Sequence, residues 1–307
     1  GGNMRRTADI PADSSSTAST RKGRRTTERI AHRSWYVARR TLHHPSGLIG
    51  TAMLGSVVAL VLLAPFIAHR SPTAVDINTL NQLPSGAHPF GTDYLGRDLW
   101  SRVLYGGQVS LLAGIGVVCL ESSIGVTLGL VAGFTGRYID AMVMRLMDAL
   151  LIVPGLLLAL GIVAILGPGL SSTIIAIGVA GIPGYARMAR AMALRVRHQE
   201  YVLAAQAAGT RGPRIVRRHV LPNSLEPLIV MATISFGGAV LAASALSYLG
   251  VGVQSPTADW GTLLSEGYTQ MYQAWSELVF PGIAVVLTVL GGNLLGDGLT
   301  DALNPRL

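Results

Sequence analysis

Apolar residues in this chain fall into long runs separated by short polar stretches. Neither the two-residue period of a half-buried strand nor the 3.6-residue stripe of a soluble helix dominates these runs. They are apolar on all sides, as helices in a lipid environment are. Six such runs predict spans at about Ser46 to Ala68, Val109 to Phe134, Ala141 to Leu166, Leu170 to Met192, Leu225 to Val251 and Leu278 to Leu299. The first alone reaches roughly 34 Å at ~1.5 Å per residue, enough to cross a hydrocarbon core of about 30 Å. A membrane strand needs only ~9–11 residues, so the run length excludes a barrel. The expectation is an all-α polytopic membrane protein with six transmembrane helices.

Composition agrees with the pattern. Half of the residues are hydrophobic and 13% are charged, too little charge to cover a soluble surface. The net charge of +8 has a membrane use, which removes the need for a nucleic-acid partner. Basic residues concentrate in the amino-terminal arm and in Arg187 to Arg218, whereas Gly252 to Pro281 has none and holds Asp259, Glu266 and Glu277. Basic segments stay on the cytoplasmic side, so the amino terminus is expected there and, with six spans, the carboxyl terminus as well. Arg70, Arg97 and Arg102, in the first external loop, are an exception to this rule. Cys119 is the only cysteine. It lies in an apolar run and reads as core filler.

These boundaries divide the chain into an arm (1–45), a first span (46–68), an external loop (69–108), a core of five spans (109–299) enclosing a cytoplasmic loop (193–223), and a tail (300–307). Gly1 to Asn3 precede Met4 and read as a cloning remnant. The arm is rich in Ser, Thr and Arg and is expected to be disordered.

Gly125, Gly129 and Gly133 stand at four-residue spacing in the second run, and Gly292 and Gly296 repeat it in the sixth. Such a groove lets another backbone approach, either within the subunit or from a second one. Glu121 lies near the middle of a span, where a carboxylate costs several kcal/mol unless paired, protonated or wet. It is a candidate pathway residue. Arg145 and Asp148 are three residues apart and predict an ion pair along one helix face. The lone histidines His43, His44 and His219 read as surface residues, so no metal site is expected.

The loop 184–223, GYARMARAMALRVRHQEYVLAAQAAGTRGPRIVRRHVLPN, reads as two short helices broken at Gly209–Gly212. Ala204, Ala205, Ala207 and Ala208 keep the first thin enough to lie in a partner's groove. Leu203-Ala204-Ala205, Gly209 and His219-Val220-Leu221-Pro222 resemble the EAA loop of binding-protein-dependent ABC importers, with Leu203 at the usual Glu and His219 at the usual Ile. The ending His219 to Asn223 resembles the peptide and nickel branch. HPFGTDYLGRDLWSRVLYGGQVSLLAG (88–114), LGVGVQSPTADWGTLLSEG (249–267) and NLLGDGLTDALNPRL (293–307) resemble other motifs of that branch, with Gln108 at an expected Arg.

This resemblance to the C-type permease subunit of dipeptide and oligopeptide importers implies a type I ABC importer permease fold. It also implies a B-type permease partner, two ATP-binding subunits or one fused ATPase, an extracytoplasmic substrate-binding protein and surrounding membrane lipid. Glu200, Tyr201, Ala204, Ala205, Ala208, Gly209, Leu221 and Pro222 are then the expected ATPase-coupling residues. Gln254 and Trp260, in a segment that dips back towards the pathway, join Glu121 as possible pathway residues. Trp260 reads equally as an interfacial anchor. The chain lacks GxxxxGK[ST], and its sole lysine, Lys22, is outside any such motif. ATP and Mg are therefore expected on the partner ATPases, with no cofactor in this chain and no enzyme activity of its own. Nickel, glutathione or haem are alternative cargoes. A secondary carrier driven by an ion gradient is the alternative class.

Overall fold

The computed structural model describes residues 39–303 except 211. The arm before residue 39 and the last four residues lie outside the described part. The described residues are helical apart from connecting loops and one isolated bridge, Thr92 to Asp98. In chain order the helices are α1 (Pro45–Leu62), α2 (Ala64–Ile67), α3 (Leu99–Phe134), α4 (Arg137–Ile152), α5 (Gly155–Leu166), α6 (Leu170–Arg197), α7 (Glu200–Ala207), α8 (Gly212–Ile215), α9 (Leu221–Tyr248), α10 (Trp260–Gln270) and α11 (Ser276–Leu303). A π-helical turn, Val216–Val220, joins α8 to α9.

Among the described residues four helices or joined helices are long and apolar enough to cross a membrane: α1, α3, α8 with α9, and α11. The pair α4 and α5 makes a fifth if taken as one bent span. The expected straight run from Ala141 to Leu166 is therefore corrected. It breaks at Val153–Pro154, and the two halves meet at 90°. Pro154 has no N–H to donate and forces Val153 out of the helical region (φ −90°, ψ 129°). The first run also breaks, at Leu63, before Pro65 starts the short α2. Helix α6 is long, but its Gly, Ala and Ser residues, Pro183 and arginine-bearing end leave it less apolar than the others.

Small residues decide how the helices meet. A Cβ added at Gly125 would lie 2.6 Å from Tyr185 Cβ, and one at Gly133 would lie 2.7 Å from Ala193 Cβ. At Gly129 it would strike the carbonyl of Ala186. The glycine stripe of α3 thus receives α6 of the same chain. A Cβ added at Gly291 would lie 2.8 Å from the backbone nitrogen of Leu54, so α11 seats α1 in the same way, while Gly237 and Gly292 bring α9 against α11. In lipid no hydrophobic drive pushes helices together, so close backbone approach supplies the dispersion energy instead.

Four apolar clusters follow from this frame. One gathers Val57, Leu99, Val103, Val240, Trp260 and Val285, around α10. A second sits at mid-height with Val117, Ala159, Ile177 and Leu246. A third, with Leu130, Ala193, Val202, Ile215 and Val220, roots α7 and α8. The fourth, with Val143, Met147 and Ile182, holds α4. Cys119 points outward and is exposed, so it is not core filler.

Gly129→Leu places a branched side chain on the Ala186 carbonyl. Overpacking a tight contact costs about 1–3 kcal/mol or more. The variant is expected to lose several degrees of thermal stability in detergent, whereas Gly161→Leu, where nothing lies within 4 Å, is expected to unfold like the parent.

Candidate functional site: an exposed helical elbow, an outer clasp and an acid in the core

The arginine-rich segment folds as an elbow. Helix α7 ends at Gly209, whose φ of +78° is left-handed. The Thr210 N–H bonds the Ala205 carbonyl at 3.0 Å and the Gly209 N–H bonds Gln206 at 2.9 Å. That is a Schellman stop, and glycine meets its backbone requirement without a Cβ penalty. Only Val202 of α7 is buried. It seats the helix on Leu130, Ala193 and Val196 of α3 and α6. Tyr201 stacks obliquely on His219 with ring centroids 5.7 Å apart, and Asn223 Nδ2 donates to the Tyr201 hydroxyl at 3.3 Å. The motif residues His219 and Asn223 therefore tie α7 to the start of α9. Leu221 and Pro222 form its first turn, and Pro222 needs no N–H there.

The opposite face of α7 has no partner among the described residues. Leu203 is 50% exposed and Tyr201 is 45% exposed, and Glu200, Ala204, Ala207, Ala208 and Gly209 are exposed around them. Ala205 is half-buried. Glu200 sits in the first turn, where its charge suits the helix dipole. The structure thus brings the expected coupling residues together on one elbow with a thin outer face.

At the far end of α3 the stretch 91–102 forms a clasp. Asp93 Oδ1 accepts the N–H groups of Leu95 and Arg97, both at 2.9 Å, around Gly96 at φ +73°. Its Oδ2 accepts Arg97 Nε at 2.6 Å and also Arg102 Nη1. Arg102 Nη1 reaches on to Glu266 Oε2 of α10, at 2.6 Å. Asp98 caps α3 by accepting Ser101 N–H at 2.9 Å, while its other oxygen meets His88 Nδ1 at 2.8 Å. Arg70 Nη1 contacts His88 Nε2 at 3.1 Å. Arginine only donates, so Nε2 accepts and the proton sits on Nδ1, facing Asp98. The carboxyl of Glu277, 1% exposed, stands beside these charges without a hydrogen bond. Burial opposes the charge on Arg97, yet Asp93 and Glu266 outweigh it and hold the guanidinium above its usual range. Two of the three arginines that break the charge rule, Arg97 and Arg102, are thus neutralised and buried, while Arg70 is exposed. Arg97 and Arg102 are 3% and 2% exposed.

Trp260 is fully buried. Its indole N–H donates to the Val103 carbonyl at 2.9 Å, and its own N–H donates to Ser110 Oγ at 3.0 Å. It anchors α10 to α3 from inside the fold, which corrects the interfacial reading. Asp259 caps α10 through Thr262 N–H at 2.9 Å, and burial raises its carboxyl above the usual range. Gln254 is exposed and folds back onto the carbonyls of Gly250 and Gly252. Gln108 donates to the Val61 carbonyl at 3.1 Å, close to the break after α1.

Glu121 stands elsewhere. It faces Gly181 of α6 and lines a cavity of about 320 Å³ among α3, α5, α6 and α9. Neither Gln254 nor Trp260 lines that cavity. The expected Arg145–Asp148 pair is replaced by a link between helices. Asp148 accepts Arg187 Nη2 of α6 at 2.6 Å, and Arg190 similarly holds Asp140. Both arginines lie on the side of α6 that α4 covers, so a partner across the interface displaces the one along the helix. The outer clasp and the two α6 arginines were missed as sites, although the Asp-x-x-x-Arg spacing of Asp93 and Arg97 signals a local pair.

Long apolar helices define a multi-pass membrane protein, with an elbow whose outer face is bare and an acid on a cavity among α3, α5, α6 and α9. Residues 125–307 match the family described as Binding-protein-dependent transport system inner membrane component, and the chain belongs to it. It is similar to a putative peptide transport system permease protein of Brucella abortus biovar 1 (strain 9-941), 47% identical over 88% of this chain and 91% of that protein. It is also similar to the dipeptide transport system permease protein DppC of Alkalihalophilus pseudofirmus, 41% identical over 85% and 86%. Among solved structures, a chain of the inward-facing MetNI methionine ABC transporter aligns with TM-score 0.54 and 21% identity, covering 66% of this chain and 97% of that one. That likeness establishes the fold.

Replacing Glu266 by Gln removes the charge opposite Arg102. Arg102 is buried and Glu266 half-buried, so a double-mutant cycle of Glu266→Gln and Arg102→Gln is expected to show a coupling of about 1–3 kcal/mol in unfolding measurements.

Proposed function

We propose that this chain is the membrane-spanning permease subunit of an ATP-driven importer for di- and oligopeptides. The observation that carries this reading is the α7 elbow, whose outer face is bare while its inner face is rooted in the bundle at Val202. A helix with that geometry suits a groove on a separate motor protein. The names of the curated relatives support the peptide cargo.

In this reading the chain crosses the membrane six times, through α1, α3, the bent α4–α5 pair, α6, α9 and α11. Both termini and the α7 elbow face the cytoplasm, and the clasp with α10 faces outward. A homologous B-type permease completes the pathway against the exposed apolar faces. Two ATP-binding subunits, or one fused ATPase, hold ATP and Mg and dock on Tyr201, Leu203, Ala204, Ala207 and Ala208. An external binding protein delivers cargo to the clasp side. Closure of the ATPases pushes α7, and Val202, Ile215 and Val220 pass the displacement to α3, α6 and α9. Rigid-body rocking of packed helices is the physical form of such a switch. The chain contributes path and lever and performs no hydrolysis.

Ala204→Trp adds bulk to the outer face of α7 at a position any residue accepts. The assembled complex is expected to keep its membrane level but to lose most binding-protein-stimulated ATP hydrolysis and peptide uptake. Uptake equal to the parent in proteoliposomes would remove the docking role. Peptide uptake absent from an otherwise active complex, with nickel chelate, glutathione or haem carried instead, would overturn the cargo.

Orientation has its own test. In a Cys119→Ser background, a cysteine at Tyr272, which is 93% exposed, is expected to react with an impermeant thiol reagent added outside intact cells. A cysteine at the exposed Gln206 is expected to react only after permeabilisation. The reverse pattern inverts the topology.

A further inference from the structure

Glu121 is 6% exposed, and its Oε1 has no hydrogen-bond partner. Tyr185, from α6, is 1% exposed, and its hydroxyl is likewise without a partner. The Ser235 hydroxyl of α9 stands beside both. Buried polar groups are normally satisfied, and an orphaned pair at mid-span is costly. Three helices have given up side chains around this acid. Gly155, Gly181 and Gly238 line the same cavity of about 320 Å³, and a Cβ at Gly181 would collide with the Glu121 carboxylate. The remaining wall is aliphatic, including Val117, Leu156 and Ile177. The size falls within the roughly 300–1,000 Å³ of small-molecule sites.

A second, larger cavity of about 940 Å³ shares Ser235 and Gly238 as a common wall and extends towards Thr300 and Leu303 at the α7 end. The acid therefore sits where a central chamber adjoins a wider vestibule.

From this geometry we infer that Glu121, with the Ser235 hydroxyl on the same cavity wall, is a transit site for the protonated amino terminus of a peptide. The inference rests on the peptide-importer reading above. The two carboxylate oxygens of Glu121 and the Ser235 hydroxyl supply acceptors for the three N–H donors of an ammonium, and the aliphatic walls suit the first side chain. A bare divalent cation wants about six oxygen ligands or more around it, and this chamber offers one carboxylate and one hydroxyl among apolar carbons. A glutamate that acts only in its neutral form would tolerate glutamine.

The test uses the complete transporter in proteoliposomes with its own binding protein, which is unchanged between variants. Uptake of a peptide with a free amino terminus and of its N-acetylated counterpart is measured beside ATP hydrolysis. Glu121→Gln is expected to lower free-peptide uptake per ATP by about tenfold, the scale of one charge-assisted hydrogen bond. Binding-protein-stimulated hydrolysis is expected to persist, any N-acetylated uptake to be unaffected, and Glu121→Asp to recover part of the loss. Parental free-peptide uptake by Glu121→Gln overturns the site. So does an equal loss for both peptides, or loss of ATP hydrolysis in both variants, since these indicate a structural role. A parent complex that takes up no peptide at all strikes the importer reading instead, so the two failures are distinct.

Discussion

The architecture depends on how closely the backbone of α3 approaches that of α6. Gly125, Gly129 and Gly133 face Tyr185, Ala186, Ala189 and Ala193 at distances that admit no additional carbon. In water such a seam would be one packing solution among several. In lipid it is the chief means by which two apolar helices prefer each other to hydrocarbon. Every other feature hangs from one of these two helices. Helix α3 is 36 residues long, about 54 Å at ~1.5 Å per residue, so it outruns a bilayer core and projects beyond it. At its start it carries Arg102 of the clasp, near its middle Glu121, and towards its end Leu130, on which α7 is seated.

That continuity gives the charges their logic. A cluster such as Asp93, Arg97, Arg102 and Glu266 is a weak source of net stability, because desolvation offsets attraction. Its value here is positional. It fixes the loop 91–98 against the first turn of α3 and against α10, whose Trp260 is pinned to the same helix by two hydrogen bonds. Across the bundle, Asp140 and Asp148 hold α4 onto the arginine-bearing part of α6. The ion pairs sit towards helix ends, where water or head groups limit their cost, and the interior of the α3–α6 seam is left to glycine and alanine.

Much of this was legible in the sequence, and the parts that were not have physical causes. Run length and charge asymmetry report transfer into lipid, a property of composition, so the helices emerge directly. The glycine register also reads directly, because only close approach requires it. Its partner does not, because a groove in one helix carries no label of the helix that fills it. The bend at Pro154 was present as a residue, but its angle depends on which neighbours satisfy the freed backbone groups. Arg145 and Asp148 failed as a pair because helical spacing counts only neighbours on one helix, whereas Arg187 arrives from another. The elbow was legible through Gly209 and the Ala-rich face, since a left-handed stop and a thin helix are both written in local residues. Cys119 misled because an apolar run in a membrane protein has an outward side as apolar as its inward one.

The same reasoning separates Glu121 from the clasp carboxylates. Each acid near the clasp, except Glu277, is matched by an arginine or a backbone N–H, and each can be read as architecture. Glu121 has no such match, and its surroundings are emptied rather than filled. Gly155, Gly181 and Gly238 contribute absence from three different helices, an arrangement that weakens packing where dispersion is the main force holding helices together. A purely structural acid at that height would be stabilised by filling the space with a donor. In the reading proposed above, where helices around this chamber carry the elbow's displacement, an acid kept in it is placed to meet a charge that arrives and leaves. A rocking of α6 or α9 by the lever would change the width of that chamber first, because the wall Ser235 and Gly238 share between the two cavities belongs to α9, the helix that begins at the elbow.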